Sequence, residues 1–274
     1  MRWRRKINMI KLVAADMDGT LLNSKKEISP NLFETIYKLK DKNIKFVVAS
    51  GRQYYNLLKI FEDIKDDLIF ISDNGSIVFE KGKNILISEI DEKKLVEPIE
   101  LIRNIDNAYP ILCGVNSAYA ENDNPEFIYN AKMYYEHLKI VPNILDAIKL
   151  DKICKIAVYD GSGAETNSYP LLKKFNKDLL VCLSGENWVD FMNLDINKGK
   201  AIKKLQEMYK ITHEECMAFG DYLNDYEMMQ ECKHSYAMAN AHPKLKEICN
   251  YEAKSNDEDG VIVAISDYLN KNYK

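Results

Sequence analysis

Three short apolar runs, at residues 10–15, 44–49 and 68–71, constrain this chain more than any other feature. Each is too short for a buried helix, is interrupted by at most one lysine, and stops at a polar or glycine-bearing cluster, as a buried strand does. The clusters are Asp16-Met17-Asp18-Gly19-Thr20, Ser50-Gly51-Arg52 and Ser72-Asp73-Asn74-Gly75. Between the runs, Leu32, Phe33, Ile36 and Leu39, and then Tyr54, Leu57, Leu58 and Phe61, recur at helical spacing. Ser29-Pro30 suits the first helix start, with a capping hydroxyl and a proline at the first helical position, and Asn43 suits its stop. Strand, helix, strand, helix, strand with short connections predicts an α/β fold with a doubly wound parallel sheet. Ligands of such sheets bind beyond the carboxyl ends of the strands, and Asp16, Ser50 and Asn74 all fall at that edge.

The first cluster is the most demanding. Alternate residues of an extended segment share a side, which predicts that Asp16 and Asp18 project together from the strand end. Two like charges so placed are costly unless a cation or a shared proton compensates them. Gly19 frees the backbone to turn sharply, and Thr20 adds a hydroxyl. For this fragment alone, an Asx-type turn closing a strand explains the residues equally well.

The rhythm then changes. Residues 77–79 and 85–87, around Lys81-Gly82-Lys83-Asn84, read as a hairpin leading out of the sheet. From 91 to 184, helical patterns at 92–104, 125–137 and 167–176 alternate with strands at 111–115, 155–159 and 179–183, and no strand there ends in a polar cluster. This predicts an inserted domain over 85–187, within a core made of 9–84 and 188–274. Gly161-Ser162-Gly163 lacks the lysine and strand-to-helix setting of a phosphate cradle and reads as a loop. Trp188 is expected to pack at the hinge. The first pattern then resumes: Lys198-Gly199-Lys200 opens a helix, Thr212-x-x-Glu215 resembles a capping box, and a strand at 216–219 delivers Gly220-Asp221-Tyr222-Leu223-Asn224-Asp225. Asp257-Glu258-Asp259 reads as a solvated turn before a last helix.

Composition narrows the classes. The 274 residues allow one large domain or two ordinary ones, and the net charge of −4 argues against a nucleic-acid partner. Six scattered cysteines without a Cys-x-x-Cys pair, several inside apolar runs, fit reduced thiols better than disulfides or zinc. The basic start, residues 1–8, imitates a signal peptide but lacks its cleavage site, so an N-terminal extension is expected. No apolar run reaches membrane-spanning length, and a cytoplasmic protein without a membrane partner is expected. Nothing in the sequence speaks to oligomeric state.

Taken together, Asp16, Asp18, Ser50, Lys198, Asp221, Asn224 and Asp225 converge on one edge of one sheet. Several carboxylates there would repel each other and any anion. A divalent, oxygen-liking cation such as Mg2+ removes that objection, because it is held by one or two carboxylates, waters and substrate phosphate. Lys198 suits a phosphate oxygen, and the Ser50 hydroxyl with the amides around Gly19 completes a cradle. A carboxylate nucleophile beside a metal and a lysine is the apparatus of phosphoryl transfer through an acyl-phosphate.

Asp16-Met17-Asp18-Gly19-Thr20-Leu21, Ser50-Gly51-Arg52, Lys198 and Gly220-Asp221-x-x-Asn224-Asp225 resemble, in order, the four motifs of the haloacid dehalogenase (HAD) superfamily of phosphatases. The insertion between the second and third motifs, and the tail Ala239-Asn240-Ala241-His242-Pro243 with Asn256-Asp257-Glu258-Asp259-Gly260-Val261, resemble its Cof-type (IIB) branch, which carries a C2-type α/β cap. The resemblance implies a Rossmann-like core and a Mg2+-dependent phosphatase of small phosphorylated metabolites, sugar phosphates first, with flavin mononucleotide or pyridoxal phosphate as other candidates. It also implies roles. Asp16 would be the phosphorylated nucleophile and Asp18 the acid and base. Mg2+ would be held by the Asp16 and Asp221 side chains and the Asp18 carbonyl. Gly19, Ser50, Gly51 and Lys198 would bind the phosphoryl group, Asn224 and Asp225 would order the metal waters and the lysine, and Arg52 and Asn74 would reach the substrate. Ser50 stands where threonine is more usual, and Tyr222 is larger than the common residue there, which bears on substrate range. A receiver domain would be far shorter and lack Asp18. The remaining alternatives are a phosphosugar mutase of the same superfamily and a catalytically silent binder of phosphometabolites.

Overall fold

The computed structural model describes residues 9–273; the basic segment 1–8 lies outside the described residues. The first apolar run forms β1 (Leu12–Asp16), every residue of which is buried. Helix α1 (Asn31–Asp41) turns Leu32, Ile36 and Leu39 inward and leads to β2 (Lys45–Ala49). Its cap differs from expectation. Pro30 occupies the N-cap, and the Ser29 hydroxyl instead donates to Asp259 Oδ2 at 3.0 Å. Helix α2 (Tyr54–Ile60) leads to β3 (Leu68–Ser72).

The hairpin β4 (Ile77–Glu80) and β5 (Lys83–Ile87) does not leave the sheet; it extends it antiparallel from β3. Ile77, Val78 and Phe79 are apolar enough to be buried in a sheet, and β5 covers that edge.

The intervening chain builds a second sheet: α3 (Val96–Ile102), β6 (Ala108–Gly114), β7 (Ala118–Ala120), α4 (Pro125–Lys132), β8 (Leu138–Ile140), β9 (Ile153–Asp160), α5 (Tyr169–Leu172), β10 (Leu180–Gly185) and β11 (Trp188–Met192), in the order β10-β11-β9-β6-β7-β8. The helices are shorter than their apolar spacing suggested, and β7 and β8 are brief additions. Alternate residues divide between two cores. Leu112, Ile156, Val158 and Phe191 pack with Ile99, Ile102 and Leu172 on one face. Ile111, Cys113, Ala157 and Tyr159 pack with Phe127, Ala131 and Tyr135 on the other. Trp188 joins this second face, against Tyr134, Tyr135 and Tyr159, rather than a hinge. Strand pairing puts residues 85–87 in the first sheet and 188–192 in the second, each displaced by a few residues from the sequence-based boundaries.

The chain then returns through α6 (Lys198–Tyr209), β12 (Cys216–Gly220), α7 (Tyr226–Gln230), β13 (His234–Met238), α8 (Pro243–Lys246), β14 (Tyr251–Ala253) and α9 (Gly260–Asn272). The first sheet runs β14-β13-β12-β1-β2-β3-β4-β5, parallel from β14 to β3. Thus β1 lies in the interior of the sheet, flanked by β12 and β2, and the carboxyl ends of all three open on one edge. Thr212 and Glu215 do form a capping box, on a single 3-10 turn before β12. All six cysteines are free. Among the described residues no helix is long and apolar enough to cross a membrane.

Candidate active site

Asp16 is the last residue of β1 and is 5% exposed. The chain leaves the strand immediately afterwards: Leu21 N–H and Leu22 N–H reach back to the Asp16 and Met17 carbonyls at 3.2 and 2.8 Å. The simple alternation expected for Asp16 and Asp18 therefore stops at Met17, whose side chain is fully buried. Each carboxylate acquires its own partners. Gly19 makes the turn possible, with φ of +80°, and a Cβ there would collide with the Asp221 carboxylate.

Lys198 opens α6, whose N-cap Asn197 accepts from Lys200 N–H at 2.8 Å. Its side chain is fully buried, and Nζ donates to Asp16 Oδ1 at 2.5 Å and to Asp225 Oδ1 at 2.7 Å. Gly199 lets this helix end approach α7, since a Cβ there would stand 2.5 Å from the Glu227 carbonyl oxygen. Asp225 is held in turn by the Asp221 and Tyr222 amides, which donate to Oδ2 at 3.1 and 3.3 Å. Asp221 follows β12 and receives the Thr20 hydroxyl at 3.4 Å.

One ligand oxygen from each of Asp16, Asp221 and Asp225 lies within 4.8 Å of the others. Three carboxylates against one ammonium leave excess negative charge in a largely dry site. Burial, opposed by Lys198 and reinforced by Asp225 and Asp221, pushes the Asp16 carboxyl well above its usual range. Asp221 is pushed up to about 6, by burial first and then by Asp225. Burial acts to strip the Lys198 proton, but Asp16 and Asp225 outweigh it and hold the ammonium charged. A cluster of hard oxygens with surplus charge is the donor set a divalent cation relieves, so these residues fit a metal. At neutral pH, Lys198→Met should lower the unfolding free energy by about 3–5 kcal/mol, because it leaves buried carboxylates uncompensated. Urea denaturation reads this, and a loss below about 1 kcal/mol would show that the ammonium is not what seats them.

Asp18 faces different company. Arg52 grips it with two bonds, Nε to Oδ2 at 2.8 Å and Nη2 to Oδ1 at 2.7 Å, while Nη1 donates to Asn56 at 2.9 Å. Lys26 Nζ adds a contact at 3.1 Å. Burial pushes the Asp18 carboxyl up, but Arg52 and Lys26 together outweigh it and hold it below the usual range. Ser50 is buried, and its hydroxyl accepts from Arg52 N–H at 3.1 Å. Asn74 is buried with a left-handed backbone, packs on Gly51, donates to Asp190 at 3.4 Å and accepts from Asn224 at 3.3 Å. It acts as a strut between loops rather than an open contact.

The expected residues from four strand and helix ends are therefore brought together, in two groups: Asp16, Lys198, Asp221 and Asp225, and Asp18 with Arg52. Residues of the tail motif, to which the sequence assigns no role, support them. Asn240 donates to the Gly19 carbonyl at 2.8 Å and Asn256 to that of Leu22 at 2.9 Å. Asp257 lies, as expected, in an exposed turn before α9, and it also accepts from Ser24 N–H at 2.8 Å. Tyr222 is 57% exposed beside His242 at the rim.

The sequence pattern of the haloacid dehalogenase-like hydrolases matches residues 13–265. A protein of Escherichia coli named 5-amino-6-(5-phospho-D-ribitylamino)uracil phosphatase YbjI is 31% identical over 95% of this chain and 96% of its own. Bacillus subtilis YcsE, of the same name, is 31% identical over 95% of this chain and 96% of its own. The crystal structure of SMU.1108c from Streptococcus mutans superposes with a TM-score of 0.84 at 31% identity, covering 95% of this chain and 99% of that one. TM0651 from Thermotoga maritima gives 0.82 at 28% identity, covering 94% and 97%. With the match running through β1, the second sheet and the Asp221 loop alike, the chain belongs to the haloacid dehalogenase-like hydrolases of Cof type and is a phosphatase.

Proposed function

We propose that this enzyme is a Mg2+-dependent phosphatase of small phosphorylated metabolites that works through an aspartyl-phosphate at Asp16. The observation that carries this reading is the buried Lys198 ammonium, bonded to both Asp16 and Asp225 with Asp221 alongside, at the carboxyl ends of parallel strands. An Asp16 carboxylate oxygen attacks phosphorus, and the leaving alkoxide takes its proton from Asp18. Asp18, now a carboxylate, takes a proton from water, whose oxygen attacks the phosphorus and frees Asp16 and inorganic phosphate. Lys198 orients the nucleophile and offsets charge on the phosphoryl oxygens, aided by the Ser50 hydroxyl and the amides of Gly19 and Gly51. Asp16, Asp221 and the Asp18 carbonyl would hold Mg2+, with Asn224 and Asp225 ordering its surroundings; the ion supplies charge neutralisation at the phosphate. Arg52 turns from Asp18 to the substrate when the site fills, which relieves the strongest influence holding Asp18 ionised.

The core, built on the first sheet, carries the chemistry, and the inserted unit, built on the second sheet between β5 and α6, is a cap that closes over the site and selects the leaving group. Two relatives at 31% identity are named for a phosphorylated ribitylaminouracil, which makes a phosphorylated polyol on a pyrimidine the first substrate candidate, ahead of hexose phosphates, flavin mononucleotide and pyridoxal phosphate. Ranking kcat/KM across these compounds tests the reading. The ribitylaminouracil phosphate should lead by about tenfold or more, as contacts worth 1–3 kcal/mol at a leaving-group pocket allow. Isomerisation of a hexose phosphate without phosphate release would identify a mutase instead, and binding without turnover a silent receptor.

A further inference from the structure

We propose that Lys155 is a positioning residue of this enzyme, an ammonium that clamps the cap sheet onto the loops carrying Ser50, Arg52 and Asn74 and passes between Asp73 and Asp190 as the cap closes and opens. This rests on the reading of the second sheet as a moving cap. Lys155 lies mid-strand in β9 and is 1% exposed, on the face shared with Ala157 and Tyr159. Its Nζ crosses to the first sheet's loops, 2.9 Å from Asp73 Oδ1 and 3.1 Å from the Gly51 carbonyl oxygen that accepts from it. Asp190, on the neighbouring strand β11, stands 3.8 Å away.

No requirement of either sheet's own core explains a charged residue here. An apolar side chain would fill the position at lower desolvation cost. What the ammonium adds is a contact that exists only when the two sheets meet. Asp190 pairs in register with Ala157, two residues along β9 from Lys155, so it stays beside the lysine whatever happens at the seam. Lys155 therefore keeps a carboxylate partner when the cap lifts, and Asp73 is left to water. The Asp73 contact suits a reversible clamp. It is a single ion pair across the seam, and Asp73 Oδ1 has no other partner on its own side. Burial opposes the charge on Lys155, but Asp190 and Asp73 outweigh it and keep the ammonium protonated.

The clamp acts on the site through backbone. The two loops it joins are themselves cross-bonded, Asp73 N–H to the Arg52 carbonyl at 3.1 Å and Asn74 N–H to that of Ser50 at 3.0 Å. Asn74 continues the link from Asp190 to Asn224. Releasing Lys155 frees the segment that aims both Ser50 and Arg52.

The test combines hydrogen exchange on the metal-free protein with kinetics on p-nitrophenyl phosphate and Mg2+. Lys155→Met should raise amide exchange at 50–53 and 72–76 and lower kcat/KM by about 10- to 100-fold, the scale of a small misplacement near reacting groups. Lys155→Arg should recover most of that loss. Asp73→Asn, which spares the lysine's partner within the cap, should loosen the same two segments while β6, β9 and β11 stay protected. Unchanged exchange at the seam in both variants, a uniform rise throughout the chain, or seam loosening with unaltered kinetics would each overturn the clamp. Exchange needs no substrate, so a wild-type protein inert to the aryl phosphate would count against the proposed function while exchange still decided the clamp.

Discussion

Asp16→Asn should reduce phosphate release by roughly four orders of magnitude or more, the scale on which removal of a covalent nucleophile acts. The substitution keeps the side chain's shape. Its amide oxygen can still accept from Lys198, which retains Asp225 at 2.7 Å. Asp16 is buried and burial resists its charge, so the neutral variant should melt no lower than the parent. Loss of turnover with an unchanged or higher Tm separates chemistry from folding. Substantial residual activity would refute attack by this carboxylate and direct attention to a water nucleophile.

Removal of divalent cations should be nearly as damaging and should leave a different thermodynamic trace. Excess chelator is expected to suppress turnover by at least about a hundredfold, with Mg2+ restoring it, because losing electrostatic stabilisation at a developing anion costs on that order or more. Activity unaffected by chelator would remove the metal from the proposal. Stability follows pH in the metal-free protein. Asp16 and Asp221 both carry folded-state pKa values above their ordinary ones, the latter up to about 6. The Asp221 contribution is therefore full below the unfolded value near 4 and is lost as pH rises through about 6, and Asp16 adds a loss of the same sign as pH rises above its ordinary range. Saturating Mg2+ should flatten that decline, since it binds the ionised form and only the folded chain assembles the site.

The placement of the candidate site is more legible in the sequence than that of its supports. Asp16, Ser50, Lys198 and Asp221 stand where apolar strands stop or a helix starts, and a parallel sheet gathers those points by its topology alone. The local pattern failed where backbone geometry changed: alternation through Asp16-Met17-Asp18 assumed a strand that the turn at Met17 ends. It failed again for Lys155 and Asp190, because a charge within an apolar strand carries no record of the partner another element will bring. Asn240 and Asn256 were visible as part of a familiar tail, yet their work, holding the Gly19–Leu22 carbonyls, depends on contacts more than 200 residues away. The hairpin at β4 and β5 is legible as a hairpin, while its attachment to β3 is not, since pairing partners are not a local property.

The position of β1 within its sheet has a consequence for how the protein is made. On one side β1 pairs with β2, Leu12 against Lys45; on the other it pairs with β12, Leu12 against Cys216. The ribosome delivers the first neighbour within tens of residues and the second only after about two hundred. At roughly 5–20 residues per second, the apolar edge of β1 waits on the order of 10–40 seconds for its second partner. During that interval Val13, Ala14 and Ala15 line an open strand edge on the nascent chain, able to pair with a neighbouring copy on the same messenger. Slow synthesis should therefore favour aggregates seeded at β1, and a trigger-type chaperone that shields this edge should raise the soluble yield without altering the finished enzyme.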